Sequence, residues 1–238
     1  MSETTPRGPE VALVIPAFQA ARTLPDVLAR ARRAVPGAQF LVVDDGSDDD
    51  TAGIAHACGA AVASHERNLG KGRALATGLA GAEALGFPYV VTLDADGQHP
   101  PEEIPMLLAP LVADRADLVV GARRRDGSAM PPGRRFTNWL SSTLVSRAVG
   151  ASVPDSQSGF RAMRAAVAAT VRPAGRRYEF ETEFLLLAAE RGFRITAVHV
   201  PTVYGGERSH FRYVADTLRL AGVFARHWRR ILAGPQPT

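Results

Sequence analysis

Asp94-Ala95-Asp96 sets two carboxylates two residues apart. In an extended segment residues i and i+2 project to the same side, so both acids share one face. At about 4 Å and an effective dielectric of ~20 they repel by roughly 4 kcal/mol, which favours a bound cation or a raised pKa. A hard divalent ion, Mg2+ or Mn2+, held by one or two carboxylates and completed by substrate phosphate oxygens relieves that repulsion. Gln98, two residues on, has a carbonyl oxygen to add. The competing reading is an Asp-Ala-Asp-Gly turn that caps a helix starting near Pro101.

A second acidic run, Asp44-Asp45-Gly46-Ser47-Asp48-Asp49-Asp50-Thr51, crowds five carboxylates into eight positions. Asp49, Asp50 and Thr51 suit the cap of a following helix, whereas Asp44, still on a strand, is placed to accept from ribose hydroxyls or a base N–H. Gly70-Lys71-Gly72 holds the one lysine among 28 basic residues. It reads either as a helix start or as a group near a nucleotide or diphosphate.

These residues need a scaffold, and the apolar pattern supplies one. Strands are expected at Val11–Ile15, Phe40–Val43, Ala61–Ala63, Tyr89–Leu93 and Leu118–Val120, alternating with helices at Ala20–Val35, Thr51–Cys58, Lys71–Leu85 and Pro101–Val112. Short, continuous apolar runs separated by helices mark parallel strands covered on both faces. The second half is less regular: a helix at Arg134–Val149, a short strand or loop at Ser158–Met163, a helix at Phe180–Arg191, a strand at Ile195–Val203 and one long helix at Tyr213–Leu232. The fold class is α/β, a doubly wound, mostly parallel sheet. Residues 1–9 are expected to be a flexible N-terminus and 10–238 a single domain, with Pro131-Pro132-Gly133 as the one plausible seam. Ligands in such sheets sit beyond the carboxyl ends of the strands. There the sequence places Pro16-Ala17-Phe18, Asp44-Asp45, Asp94-Ala95-Asp96 and, after the fifth strand, Gly121-Ala122-Arg123.

Composition narrows the function. Of 238 residues 46% are hydrophobic, enough for a sizeable core, and a fibrous or disulfide-stapled protein is excluded. One cysteine, Cys58, fits a reducing compartment, and no apolar leader or bilayer span is visible, so a soluble cytoplasmic protein is expected. Residues 1–120 carry 9 basic and 16 acidic side chains, and residues 121–238 carry 19 and 8. This asymmetry suggests a cation held by the first half and an anion by the second. A nucleic-acid-binding module is disfavoured by the acidic half. Neither a G-x-G-x-x-G nor a P-loop occurs. A nucleotidyltransferase would want a Gly-rich basic loop after the first strand, where Pro16-Ala17-Phe18 stands.

VVDDGSDDDT, NLGKG, LDADGQHPPE, GAR and DSQSGFR, in this order, resemble the inverting family 2 glycosyltransferases, in the branch similar to dolichol-phosphate mannosyltransferase and bacterial polyprenyl-phosphate sugar synthases. The resemblance runs from about Val11 to Phe211. It implies a GT-A-like nucleotide-diphospho-sugar transferase fold, with residues 10–122 as the nucleotide-sugar and metal half and 123–211 as the acceptor half. Pro16, Phe18, Asp44, Asp45, Lys71, Asp94 and Ala95 would line the nucleotide pocket, and Asp94, Asp96 and Gln98 would hold Mg2+ or Mn2+. Arg123 and Arg135 would face phosphates. Asp155, Ser158, Gly159 and Arg161 would stand near the acceptor. The late family motif R-x-x-G-x-S-K departs here to Tyr204-Gly205-Gly206-Glu207-Arg208-Ser209-His210, where Arg208 and Ser209 are the phosphate candidates. His210 in place of lysine implies a weaker, pH-dependent contact or a plain loop residue.

The implied reaction is inverting hexose transfer from a GDP- or UDP-sugar to a polyprenyl phosphate at the inner membrane surface. Such an acceptor is already ionised and needs little help from a base. The alternative is transfer to a hydroxyl of a soluble sugar or natural product, which needs a base, with Asp155 as first candidate and Glu183 as second. Residues 212–232 read as a basic amphipathic helix, with Leu218, Ala221, Phe224, Trp228 and Ile231 on one stripe and Arg212, Arg219, Arg226, Arg229 and Arg230 around it. Such a helix either lies in an anionic interface or packs on the domain.

Overall fold

The computed structural model describes residues 10–123, 132–201 and 213–234, with the side chains of 132–136 and 213–216 left aside. Among the described residues seven strands form one sheet, in the order β3-β2-β1-β4-β6-β5-β7. The strands are β1 Val11–Ala17, β2 Gln39–Asp44, β3 Ala61–Ser64, β4 Tyr89–Thr92, β5 Leu118–Arg123, β6 Arg161–Arg164 and β7 Ile195–Val200. The helices are α1 Leu24–Ala34, α2 Thr51–Ala57, α3 Lys71–Leu85, α4 Ile104–Val112, α5 Pro132–Val149, α6 Ala165–Thr170, α7 Glu179–Glu190, α8 Tyr213–Arg226 and α9 Trp228–Ala233.

The central strands are apolar on both faces because helices cover both. Leu13, Ile15, Val42, Val91 and Leu93 pack with Leu24, Leu28, Ile104, Leu107 and Leu111 on one side. Ala12, Val14, Val90, Leu118 and Val120 pack with Leu75, Leu79, Phe180, Phe184 and Leu185 on the other. Alternate residues of one strand thus enter opposite cores, as the period of two requires.

One inversion positions the site. β6 runs antiparallel between β4 and β5, with Thr92 opposite Arg161 and Leu118 opposite Met163. Its first residue therefore meets the carboxyl end of β4. Residues 155–160, which precede it, are delivered to the edge where Asp94 and Asp96 stand. Thr92 Oγ1 donates to the Gly159 carbonyl (2.6 Å), and the Gly121 amide to the Phe160 carbonyl (2.8 Å).

Three expectations change. β5 continues through Gly121-Ala122-Arg123, because β7 pairs with it as far as Arg123 opposite Val200, so this triplet lies on a strand and not after one. The sheet has a short helix, α6, after β6. The expected single terminal helix is interrupted at His227, whose Nδ1 lies 2.6 Å from Glu190 Oε1 on α7. Its expected stripe divides as well: Ile231 is buried and Phe224 packs against the core, but Leu218, Ala221 and Trp228 are exposed, and Leu220 and Val223, outside that stripe, are buried instead. Among the described residues no helix is long and apolar enough to cross a membrane. Residues 1–9, Arg208, Ser209 and His210 lie outside the described residues, as does the Arg135 side chain.

Candidate active site

A cleft of about 500 Å3 opens at the carboxyl ends of β1, β2 and β4. Pro16, Ala17, Phe18 and Gln19 form one wall, Asp45, Asn68, Gly70 and Lys71 another, and Asp94, Ala95 and Asp96 a third. Arg177 and Tyr178, just before α7, close it. Of the expected nucleotide residues, Pro16, Phe18, Asp45, Lys71, Asp94 and Ala95 therefore meet here. Asp44 does not line the cleft; it is buried, and its Oδ1 accepts the Ser47 amide (3.1 Å).

Asp45 organises the second wall. Its Oδ1 accepts the Leu69 amide (3.0 Å) and lies 2.7 Å from His65 Nδ1, while Oδ2 accepts the Gly70 amide (2.8 Å). The loop is thereby fixed just where α3 begins. Gly70 has φ +98°, and a Cβ there would lie 2.6 Å from the Arg176 carbonyl, so only glycine lets the loop before α7 approach. That approach brings Arg177 and Tyr178 to the cleft.

The Asp94–Asp96 segment is held from below. Thr23 Oγ1, at the entrance to α1, donates to the Ala95 carbonyl (2.7 Å), and the Gln98 amide donates to Asp96 Oδ1 (2.9 Å). Neither aspartate caps the turn at Pro101–Glu103, which is entered through Pro100 with no side-chain cap. The two acids have different partners. Lys71 Nζ lies 2.8 Å and 2.9 Å from the two Asp94 oxygens and 2.9 Å from Glu181 Oε1 on α7. Burial works against the Asp94 charge, yet the Lys71 ammonium, together with His99 and Arg123, outweighs it and holds the carboxyl below the usual range. Burial likewise works against the Lys71 charge, and Asp94 and Glu181 more than offset it.

The donor set suits a divalent ion carried with a diphosphate. Among the described residues no cluster of three His, Cys, Asp or Glu side chains is placed to hold a metal by itself. Asp96 faces the cleft, Asp94 is already ion-paired, and Gln98 binds through its backbone to Asp96 and does not line the cleft. Such a set matches a hard cation that keeps most of its ligands from phosphate and water.

The acceptor-side motif is arranged otherwise. Arg123 Nε and Nη2 donate to the two Asp155 oxygens (2.6 Å and 3.2 Å). Ser158 Oγ donates to the Gly121 carbonyl (2.7 Å). Arg161 is buried, donating to the carbonyls of Ser158 (2.9 Å) and Ser156 (3.0 Å), with burial pulling its pKa down to about 10. Gly159 packs against the Asp94–Lys71 pair. Glu183 is committed too: Oε2 accepts the Gly175 amide (2.7 Å) and Oε1 an Arg226 nitrogen (3.0 Å).

Sequence reasoning missed Arg177, Tyr178, Asn68 and Glu181. Arg177 and Tyr178 reach the cleft through a close backbone approach that leaves no local pattern. Glu181 did leave a signal, since Glu179, Glu181 and Glu183 alternate with Phe180, Thr182 and Phe184 at the start of α7.

Comparisons with known proteins bear on the family and the fold. The chain is 32% identical to the undecaprenyl-phosphate mannosyltransferase of Micrococcus luteus, over 81% of this chain and 83% of that protein. It is 30% identical to the UDP-N-acetylglucosamine–dolichyl-phosphate N-acetylglucosaminyltransferase of Methanococcus voltae, over 81% and 85%. Glucosyl-3-phosphoglycerate synthase of Mycobacterium tuberculosis, solved with Mn2+, UDP and glucosyl-3-phosphoglycerate, superposes with a TM-score of 0.74 at 25% identity, covering 92% of this chain and 80% of that one. The same synthase has been solved with Mg2+ and UDP. The Glycosyl transferase family 2 profile matches residues 12–172, so the GT-A architecture and the cleft at its strand ends are those of a glycosyltransferase, and the chain belongs to that family.

Proposed function

We propose that the protein transfers a hexose, with inversion, from a GDP- or UDP-sugar to a polyprenyl phosphate at the cytoplasmic face of a membrane. The observation that carries this reading is the commitment of the acceptor-side carboxylates. Both Asp155 oxygens engage Arg123, and both Glu183 oxygens engage Gly175 and Arg226. Neither carboxylate is poised to take a proton from a hydroxyl. A phosphate monoester is ionised at neutral pH and needs no base. The relatives named for undecaprenyl and dolichyl phosphate support the same acceptor class.

The cleft residues divide the work. Pro16, Phe18, Asp45 and Asn68 bind and orient the nucleoside, while Lys71 and Arg177 present positive charge to the diphosphate. Asp96, with Asp94 beside it and its carboxylate oriented by the Gln98 amide, would hold Mg2+ or Mn2+, which would supply charge neutralisation to the departing nucleoside diphosphate. The neighbouring synthase solved with Mn2+ or Mg2+ and UDP supports that assignment. Arg123, paired with Asp155 at the end of β5, is positioned to attract the anionic acceptor, with Arg135 on α5 as its proposed companion. Ser158 and Arg161 act there by holding the loop, and Arg208 and Ser209 stay candidates for the phosphates.

The test is transfer of labelled sugar from GDP-mannose, UDP-glucose and UDP-N-acetylglucosamine to undecaprenyl phosphate, dolichyl phosphate and a panel of soluble hydroxyl acceptors. A lipid-phosphate product of inverted anomeric configuration by NMR is expected. Transfer to hydroxyl acceptors alone would overturn the proposal.

A further inference from the structure

The chain uses arginine at 27 of its 28 basic positions and lysine only at Lys71. Lys71 Nζ bridges two carboxylates, Asp94 at the cleft and Glu181 behind it. The Glu181 side chain is 2% exposed, and its Oε2 has no hydrogen-bond partner among the described residues. The other side is closed by Gly159, where a Cβ would lie 2.6 Å from Asp94 Oδ1 and 2.7 Å from Lys71 Nζ. A guanidinium is a larger, planar fork, whereas a compact ammonium with three N–H donors serves two carboxylates and a phosphate oxygen in turn.

We propose that Glu181 is a positioning residue that holds Lys71 as the counter-cation of Asp94, so that Asp94 is charge-compensated in the empty cleft and is released toward a divalent cation only when a nucleoside diphosphate shares the ammonium. This deepens, and rests on, the metal-assisted reading above. With Lys71 in place, the trio of two carboxylates and one ammonium offers a free divalent cation little beyond Asp96. A diphosphate beside Lys71 takes up part of the ammonium's charge, and Asp94 regains its attraction for a cation. Glu181 keeps the ammonium from leaving with the diphosphate, because a buried carboxylate without a cation is costly. Nucleotide and metal must then strengthen one another's binding by the same factor.

The experiment measures Mn2+ binding by electron paramagnetic resonance, and nucleotide binding by calorimetry, for the wild-type chain, Glu181→Gln and the double variant Lys71→Met/Glu181→Gln. UDP and GDP are both used as probes. Wild type should bind Mn2+ about tenfold or more tightly with the nucleoside diphosphate than without. In the double variant Asp94 is uncompensated, so Mn2+ alone should bind about tenfold more tightly than to wild type, and the mutual enhancement should shrink accordingly. Glu181→Gln should retain or raise metal-free nucleotide affinity and raise the enhancement, because the ammonium then passes fully to the diphosphate and leaves Asp94 to the cation. A merely structural Glu181 would weaken both alike, and that outcome overturns the inference. Enhancement in wild type that is unchanged in the variants overturns the inference alone. No enhancement in wild type overturns the metal-assisted reading and the inference with it. Melting curves accompany each variant, and if the double variant does not fold, the enhancement measured in Glu181→Gln decides.

Discussion

The carboxyl ends of β1, β2 and β4 and the neighbouring end of β5 carry equally charged motifs, and they use the charge in opposite ways. On the first side, Asp45 and Asp94 are anchored by amides, an imidazole or an ammonium and still line an open cleft beside Asp96. On the second, the DSQSGFR charges close on β5 and on the backbone: Asp155 on Arg123, and Arg161 on two carbonyls. A charged residue in a family motif is therefore not by that fact a ligand contact. Part of the acceptor motif is architecture, which holds Gly159 against Asp94 and Lys71.

The largest expected effect tests the donor side. Asp96→Ala should lower kcat for sugar transfer roughly a hundred- to a thousandfold with no loss in melting temperature, since its carboxylate faces the cleft. Near-wild-type turnover would place the ion, or the need for one, elsewhere. The converse variant, Arg161→Met, tests the acceptor side. It removes a buried cation from two carbonyls and should destabilise by about 3 kcal/mol, lowering the melting temperature by roughly 10 °C. Its residual activity at low temperature should exceed that of Asp96→Ala. If Arg161→Met instead melts normally and raises the acceptor KM, Arg161 contacts substrate and the two regions are alike.

A smaller effect concerns pH. His99 is buried against the Phe160 ring (5.4 Å between centroids), and burial pushes its pKa down to about 4. The unfolded imidazole titrates near 6.5, so between pH 6.5 and 4 the unfolded chain binds more protons than the folded one. Stability should be full above pH 6.5 and fall as pH drops through that window. Asp94, held ionised, loses stability only at lower pH, below the ordinary carboxylate range. Melting curves of wild type and His99→Gln from pH 4 to 8 separate the two, and the variant should lack the upper part of the decline. Identical profiles would show that His99 is not the group responsible.

Much of the donor side was legible. Val11–Ala17, Gln39–Asp44, Lys71–Leu85 and Tyr89–Thr92 stand within about two residues of their expected bounds, because apolar runs and helical spacing are local signals. The cleft residues follow these strands directly. The insertion of β6 between β4 and β5 was not legible, since four residues of strand carry no mark of direction or neighbour. Nor was the break at His227, which no Gly or Pro announces and which coincides with the His227–Glu190 contact. Lys71 stood out by composition alone. Its partner Glu181 lies far along the chain, on a helix whose closely spaced acids are visible in the sequence but whose contact with Lys71 is not.

Sequence alone determined the element types and the pairing of carboxylates at i and i+2, because backbone periodicity fixes which side chains share a face. It also carried the family resemblance, motif by motif. Tertiary structure decided which charges face the cleft and which face each other. Coulomb attraction and burial act through space, and the segments that bring Lys71 to Glu181 and Arg123 to Asp155 meet only once the sheet has closed around β6.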